Sequence, residues 1–333
     1  MDFTPTDEQR ELSGLARRIL AEVESPQRQW AELAAAGLLD LELDFLEQCT
    51  VLIELGRAVS QSPYLSSIVM GASTLARFGA TDQHAQWAAL AASGQMVLAA
   101  ALTPESPVDV EKTADGWVVS GTFTTVLAGA QADLILVPTE EGIFIVSAAD
   151  EGVTVEAQEM TDGTVEARLE LTHVTLTGDR VLDGAEIAAW LRDRATVGLC
   201  ALQLGVIERA LEMTASYATT RVQFGRAIGT FQAVAQRLAD AYIDVEAVRL
   251  TMWQAAWRLS EGLPCGTEVD TAKFWAAEGG HRVAHTAVHI HGGVGIDLDY
   301  PLHRYFVAAK HHEFALGHAT DHLLAIGTVL RQP

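Results

Sequence analysis

The sequence predicts an α+β protein in which a helical segment, a β segment and a second helical segment follow one another. Two observations carry this prediction. Apolar residues recur at helical spacing over residues 1–95 and 183–333, whereas residues 96–182 contain short apolar runs separated by turn residues. The chain has 333 residues, of which 49% are hydrophobic, so it is long enough for two or three domains with buried cores.

The first segment, residues 1–95, is expected to be a helical domain. Thr6 is suited to cap a first helix that carries Leu12 and Ile19 at helical spacing. Ala, Leu and Glu are abundant here and favour helices. The opening residues are acidic and polar, so we expect no signal peptide. The 3 cysteines are far apart, which fits a reduced, cytoplasmic location rather than a disulfide framework.

The second segment, residues 96–182, is expected to form a small central β domain, either a barrel or a sandwich. The runs GWVVSG, ADLILVPT and GIFIVS have the length of strands and are separated by turn pairs such as Asp-Gly and Glu-Gly. The run VEARLELTHVTL alternates apolar and polar residues, which is typical of a half-buried strand.

The third segment, residues 183–333, is expected to be a C-terminal four-helix bundle. Helical periods run through about residues 197–211, 231–248 and 269–290, and a fourth covers about 305–329. Long helices joined by short Gly-containing turns are typical of an up-and-down bundle. The chain contains neither GxGxxG nor GxxxxGK[ST], which argues against dinucleotide-binding and P-loop folds.

The charge of the chain limits its partners. It has 22 basic and 44 acidic residues, a formal net charge of -22, so we expect neither nucleic acid nor a membrane as a partner. No apolar stretch reaches the about 18 residues of a membrane-spanning helix. His281, His285 and His289 share one helix face, yet no Cys or carboxylate joins them at ligand spacing, so no metal site is predicted.

The first of two chemically informative motifs is the run RVQFGRAIGTFQ, between two predicted helices. Arg221 ends one helix, Phe224 lies in a turn and Gln232 opens the next helix. A guanidinium, an aromatic ring and a carboxamide therefore surround a helix N-terminus, where free N–H groups and the helix dipole stabilise an anion. The alternative interpretation is an interhelical turn whose Arg pairs with a nearby carboxylate.

The second motif, HIHGGVG, follows the third predicted bundle helix. Gly292 and Gly293 allow the backbone to approach a phosphate or a sugar closely, and they are equally suited to end a helix. His289 precedes them by about one helical turn. Each motif alone is moderate evidence for a ligand site. The two motifs together, following a helical and a β segment along the chain, form a specific pattern.

With these motifs, the opening DFTPTDEQREL and the β-segment run LTPE, the whole chain resembles the acyl-CoA dehydrogenase family. The resemblance implies a helical domain, a central β domain and a four-helix bundle. It also implies an FAD enzyme that oxidises an acyl-CoA to the 2,3-enoyl-CoA and passes electrons to an electron-transfer flavoprotein. By resemblance, contacts to an FAD held mainly by a neighbouring subunit fall on Arg221, Phe224, Gln232, His289 (where the family usually has Gln), Gly292 and Gly293.

The resemblance assigns the catalytic base to positions that hold no base. The commoner position falls on Leu316, and the other, early in the first bundle helix, falls on Ala195. Neither side chain accepts a proton. Glu313 and Asp193 lie three and two residues away, but a displacement of about one helical turn moves a carboxylate several ångströms, and proton abstraction needs hydrogen-bond reach.

The flavin-ring side departs from the family pattern as well. Thr125 falls where the family usually has Trp, and Leu127 where it has Ser or Thr. What remains is the half-site that a subunit donates to its neighbour. The chain therefore resembles the base-lacking subunit of actinobacterial α2β2 steroid-CoA dehydrogenases. That resemblance implies FAD shared at the subunit interface, a catalytic partner subunit and, in the partner's site, a sterol-derived CoA thioester.

Two alternatives stay open at this point. A self-sufficient homomeric acyl-CoA dehydrogenase would need a relocated carboxylate base, with Glu313 as the first candidate. A non-enzymatic scaffold that binds flavin or acyl-CoA would show no redox turnover in any assembly, and no sequence feature positively supports it.

Overall fold

A computed structural model describes residues 3–331. Met1 and Asp2, with which the predicted first segment begins, and Gln332 and Pro333, with which the third ends, lie outside the described residues. No helix among residues 3–331 is both long and apolar enough to cross a membrane.

The helices are α1 (Asp7–Glu22), α2 (Pro26–Ala35), α3 (Phe45–Ala58), a π-helix (Leu65–Ala72), α4 (Ser73–Phe78), α5 (Asp82–Ala92), α6 (Ala185–Thr220), α7 (Gln232–Ser260), α8 (Gly266–His291), α9 (Leu302–Phe314) and α10 (Ala319–Leu330). The strands are β1 (Leu98–Ala100), β2 (Asp109–Lys112), β3 (Trp117–Val126), β4 (Leu134–Pro138), β5 (Gly142–Val146), β6 (Val153–Glu159), β7 (Val165–Leu176), β8 (Val181–Asp183), β9 (Val222–Gln223) and β10 (Arg226–Ala227).

The chain divides into two compact units. Unit 1 consists of Met1–Ala21, Phe45–Ser60 and Thr196–Pro333, and unit 2 of Glu22–Asp44 and Gln61–Ala195. The helices of the first predicted segment are thus shared between the two units. The division of the sequence into three domains, with boundaries near residues 95 and 182, stays a prediction.

The first helix begins where its sequence predicts. The Thr6 Oγ1 accepts a hydrogen bond from the Gln9 N–H (3.1 Å), and the Gln9 Oε1 accepts one from the Thr6 N–H (2.9 Å). This reciprocal pair is a capping box, which supplies partners to backbone donors that the helix itself leaves free. The predicted role of Thr6 is therefore confirmed.

In unit 1, α3 and α6 approach each other closely because two glycines face the opposite backbone. A Cβ on Gly56 would lie 2.1 Å from the Leu202 carbonyl oxygen, and a Cβ on Gly205 would lie 2.0 Å from the Ile53 carbonyl oxygen. Both distances are far below van der Waals contact, so neither position accepts a side chain. In the same unit, α8 packs against α7, α9 and α10.

The fourth bundle helix predicted over about residues 305–329 is two helices, so this part of the prediction is wrong. α9 ends at Phe314 and α10 begins at Ala319. Between them Leu316 and Gly317 have φ values of 57° and 94°, the left-handed conformation that ends helices. We call the four residues between the two helices the 315–318 turn; it contains Leu316, to which the resemblance assigns the commoner base position.

In unit 2, β1 to β8 form two four-stranded sheets, ordered β1-β4-β5-β8 and β2-β3-β7-β6. All strand pairs are antiparallel except β1 with β4. Side chains from both sheets form one buried apolar cluster that includes Phe123, Phe144 and Leu169. Two sheets that share a core form a sandwich. Neither sheet closes on itself in the described chain, so the barrel alternative is wrong.

Candidate functional site

The first motif forms a short hairpin between α6 and α7. β9 and β10 pair antiparallel, and Phe224 and Gly225 make the turn with φ values of 52° and 78°. Two consecutive positive φ values are typical of the tight type I′ hairpin turn. The turn leaves the Phe224 ring 94% exposed and edge-on to the Phe231 ring, with 6.2 Å between the ring centroids.

The N-terminus of α7 follows this hairpin directly. Phe231 is its N-cap residue, and no side chain among the described residues caps the helix. Gln232 opens the helix and is exposed, as is Arg221 beyond the end of α6. The Arg226 guanidinium lies 4.3 Å from the centroid of the Phe231 ring. An uncapped helix N-terminus beside guanidinium groups favours an anion.

The second motif ends α8 in an open backbone segment. Gly292 has φ of 63° and ψ of -143°, and both Gly292 and Gly293 are exposed. A Cβ on either glycine would meet no atom of the described residues within 4 Å. His289, one turn earlier on α8, is exposed too. The backbone here is accessible to a ligand or to another chain.

The face of α8 that carries His289 borders a cavity of about 490 Å³. Arg237 of α7 and His281, His285 and His289 of α8 are among its lining residues. Burial, helped by His281 and Lys310, lowers the pKa of His285. Within residues 3–331, no three His, Cys, Asp or Glu side chains are arranged to hold a metal ion.

The motifs of the hairpin and of the α8 end are connected by a ring contact that the sequence analysis missed. His291, the last residue of α8, stacks on Tyr217 of α6 with 4.2 Å between ring centroids. The Tyr217 carbonyl accepts a hydrogen bond from the Arg221 N–H (2.8 Å). A Tyr and a His far apart in the sequence carry no signal of contact, so only the fold brings them together.

The 315–318 turn has no proton acceptor at the base position, since Leu316 occupies it half-buried. Beside the turn, the Glu313 carboxylate lies 2.6 Å from the Lys310 Nζ and 3.2 Å from the His281 Nδ1. The other expected base position, Ala195, is completely buried in α6. The Glu313 carboxylate is thus held by an ion pair with Lys310 within α9 and by a contact to His281 of α8.

The end of α9 is fixed by a buried lysine of α8. The Lys273 Nζ donates hydrogen bonds to the carbonyl oxygens of His312 and Glu313, both at 3.1 Å. Burial lowers the pKa of Lys273 to about 8. A buried ammonium is costly unless it is well paired, and carbonyls at a helix C-terminus are suitable acceptors.

A histidine of α10 holds the 315–318 turn from the other side. The His322 Nε2 lies 3.1 Å from the Leu316 carbonyl oxygen, and its Nδ1 lies 2.8 Å from the Asp270 carboxylate. The carboxylate orients the imidazole, so that the ring supports the turn at the residue with positive φ. The turn is therefore a fixed structure, although Leu316, at the expected base position, accepts no proton.

The expected flavin-ring positions lie at the end of β3 in unit 2. Thr125 has φ of 50°, and its N–H donates to the Gln158 side chain (3.1 Å). Leu127 follows the last residue of the strand. Neither residue offers the indole ring or the hydroxyl at the place where the resemblance leads one to expect it.

Comparison with known proteins covers the whole chain. Residues 183–330 match the family model described as acyl-CoA dehydrogenase, C-terminal domain. The chain is 44% identical to the acyl-CoA dehydrogenase FadE27 of Mycobacterium tuberculosis, over 100% of this chain and 99% of the relative. Among solved structures, a chain of the ChsE4-ChsE5 complex from Mycobacterium tuberculosis is similar with a TM-score of 0.95 and 45% identity, covering 100% of both chains.

A second solved structure, the Tcur3481-Tcur3483 steroid ACAD, is similar with a TM-score of 0.91 and 35% identity, covering 97% of this chain and 98% of that one. Identity at this level over nearly full length, in sequence and in structure, establishes common ancestry rather than fold alone. The chain belongs to the acyl-CoA dehydrogenase family, whose members are oxidoreductases that act on the CH–CH bond of an acyl-CoA.

Proposed function

We propose that this chain is the cofactor-completing, non-catalytic subunit of a heteromeric FAD-dependent acyl-CoA dehydrogenase. One observation carries the proposal. The exposed motifs that suit half of an FAD site are present in unit 1, whereas the base position in the same unit holds Leu316. An enzyme that used its own active site would need the carboxylate, but a subunit that completes a neighbour's site would not.

The residues present fit the adenosine diphosphate half of FAD. The uncapped α7 N-terminus and a neighbouring guanidinium suit the diphosphate, the exposed ring at the hairpin tip suits stacking on adenine, and the open glycine backbone admits close approach. FAD, when bound, supplies the hydride acceptor of the reaction. The residues assigned to it are Arg221, Phe224, Gln232, His289, Gly292 and Gly293.

An exposed half-site needs a second chain to complete it. Phe224 at the hairpin tip and Tyr242 and Ile243 on α7 are 94%, 60% and 63% exposed. Large apolar side chains exposed near one another are typical of an interface. The similar ChsE4-ChsE5 structure is a complex of two differently named chains. These observations support an unlike acyl-CoA dehydrogenase subunit as the partner, in an α2β2 assembly with FAD at the interface.

Removal of the substrate proton falls to the partner in this proposal. Leu316 and Ala195 accept no proton, and Glu313 is engaged by Lys310 and His281. A homomeric enzyme with Glu313 as its base would have to break both contacts and move the carboxylate across the helix end. We therefore place the base, and the acyl-CoA, in the partner's site.

The substrate class and electron acceptor follow from the family and its relatives. The similar Tcur3481-Tcur3483 protein is a steroid ACAD, which supports a steroid-derived CoA thioester as the substrate. We expect an electron-transfer flavoprotein to accept the electrons and the complex to work in the cytoplasm. Turnover of a steroid CoA thioester, compared with a straight-chain acyl-CoA of similar mass, tests the substrate class.

The decisive experiment measures flavin absorbance per chain, for this chain alone and co-expressed with a candidate acyl-CoA dehydrogenase partner from the same genome. We expect little flavin alone and about one FAD per pair of unlike chains in the complex, as a shared site requires. Arg221→Ala should lower the flavin content of the complex, whereas Arg209→Ala, a matched exposed arginine on α6, should not. One FAD per chain together with turnover by this chain alone would refute the proposal.

A further inference from the structure

Three ring side chains lie directly behind the two cofactor motifs. His291 is 4% exposed and stacks on Tyr217 with an interplanar angle of 22°. Its Nδ1 lies 2.8 Å from the Ala287 carbonyl oxygen, and its Nε2 lies 3.3 Å from the Tyr300 hydroxyl. Both nitrogens of a buried imidazole are therefore occupied.

These contacts select one protonation state of His291. A carbonyl only accepts, so Nδ1 carries the proton and Nε2 accepts from the Tyr300 hydroxyl. A second proton on Nε2 would oppose that bond and place a charge in a buried site. Burial lowers the pKa of His291, against a weaker opposite effect of the Ala287 carbonyl. Among residues 3–331, no charged side chain stacks on or hydrogen-bonds to this ring.

Tyr217 and His291 are also each connected through the backbone to one cofactor motif. The Tyr217 carbonyl accepts the Arg221 N–H, which fixes the start of the hairpin. His291 immediately precedes Gly292 at the end of α8. A Cβ on Gly295 would lie 3.0 Å from the His291 Cβ, so the turn after the glycines packs against the same residue. A displacement of the stacked rings would therefore be transmitted through the adjoining backbone to both motifs.

We propose that His291 is a positioning residue for the cofactor: stacked on Tyr217 as the neutral ring, it holds the Arg221 hairpin and the Gly292–Gly293 backbone at the separation that one FAD spans. The inference rests on the proposed function, because it assigns a role to residues behind that half-site. In the imidazolium form Nε2 carries a proton and can no longer accept from the Tyr300 hydroxyl, and the ring places a charge in a buried site. The stacked arrangement is therefore disfavoured, so the half-site loosens and FAD retention falls in acid.

The test measures the FAD dissociation constant of the complex with its partner by flavin fluorescence, from about pH 8 to about pH 4, because burial moves the pKa of His291 below the ordinary range of His. The wild type should lose affinity about tenfold over this range, and His291→Phe, which stacks but cannot titrate, should keep a flat profile. His311→Phe on α9 is the control, since its ring contacts His312 rather than this cluster, and it should retain the wild-type profile.

Tyr300→Phe is the conservative variant, because it removes only the hydroxyl that favours the neutral ring. Its acid loss of FAD should therefore begin at a higher pH than in the wild type, which a purely structural role of the cluster would not produce. Circular dichroism and partner binding verify the fold of each variant. A wild-type pH profile in both His291→Phe and Tyr300→Phe overturns the inference. Unchanged flavin content in Arg221→Ala instead overturns the proposed function, so the two failures are distinguishable.

Discussion

Two turns of unit 1 share one backbone conformation and differ in what supports them. In the hairpin, Phe224 and Gly225 have φ values of 52° and 78°, and in the 315–318 turn Leu316 and Gly317 have 57° and 94°. A left-handed conformation in a residue other than glycine costs about 1 kcal/mol or more. Both turns therefore retain a strained residue, and strain of this kind concentrates at functional sites.

The supports of the two turns are different in kind. The hairpin is held by its own β pairing and presents its strained residue to solvent. The 315–318 turn is held from within, by Lys273 beneath the end of α9 and by His322 at the Leu316 carbonyl. The backbone of the 315–318 turn is thus maintained by residues outside the turn, whatever side chain stands at position 316. In the proposed function, Leu316 leaves this turn without a catalytic role, whereas the exposed ring of the hairpin contacts the cofactor.

Replacing Lys273, the internal support of the 315–318 turn, should have the largest effect, a change in how the free energy of unfolding depends on pH. The pKa of Lys273 in the folded chain, about 8, lies below its ordinary value of 10.5. Between these pH values the unfolded chain binds the proton and the folded chain does not, so the lysine's contribution to stability increases as pH rises. The free energy of unfolding of the wild type should increase relative to Lys273→Met by about 3 kcal/mol from about pH 8 to about pH 10.5.

Urea unfolding at several pH values measures this difference. Burial raises the pKa of Cys200 to about 12, against an opposite effect of Lys273, and this thiol makes the opposite contribution to stability in alkali. Both proteins are therefore compared in a Cys200→Ala background, which removes that contribution. Lys310→Met is the control, because Lys310 is partly exposed and paired with Glu313, and it should show the wild-type dependence on pH. Parallel curves for the wild type and Lys273→Met would contradict the prediction.

Removing one exposed ring at each turn, Phe224 in the hairpin or Phe314 beside the 315–318 turn, should separate the roles of the two turns. We expect an effect of intermediate size, on FAD affinity. Phe224→Ala should weaken FAD binding to the complex by about tenfold, since one stacking contact contributes about 1 kcal/mol or slightly more. Its thermal midpoint should stay unchanged, because the ring is 94% exposed. Phe314→Ala, a second exposed ring, next to the 315–318 turn, should leave FAD affinity at the wild-type value. Equal losses in both variants would mean that the hairpin has no special role.

The two turns also show what the sequence can reveal. The hairpin is local: Phe-Gly between two short extended runs, followed by a helix, can be recognised within a dozen residues. Likewise the Thr6 cap depends only on a residue three positions away. The 315–318 turn is not local, because Ala315 and Leu316 favour a helix and the apolar pattern continues through them. Lys273, distant in the sequence, and His322, on the next helix, hold the turn by hydrogen bonds. These contacts override the local preference of Ala315 and Leu316 for a helix.

The remaining differences between the predicted and the observed structure also arise from contacts between residues that are distant in the sequence. Strand patterns in unit 2 are correctly recognised as β structure, but the choice between barrel and sandwich depends on which strands pair. β1, for example, pairs in parallel with β4, more than thirty residues later. The stacking of His291 on Tyr217 is equally non-local. Motifs predict which residues face a ligand, whereas the residues that hold the motifs in place become visible only in the fold.

Relieving the strain in the 315–318 turn should give the smallest effect. Leu316→Gly removes the Cβ that disfavours φ of 57°, but glycine also gains freedom in the unfolded chain, so we expect a net stabilisation of at most about 1 kcal/mol. Because the proposed function gives Leu316 no chemical role, flavin content and turnover of the complex should stay at wild-type values. Thermal unfolding and steady-state turnover measure both, with Leu316→Ala as the matched variant that keeps the strain. If Leu316→Gly abolished turnover, this turn would take part in the reaction and the contrast between the two turns would be wrong.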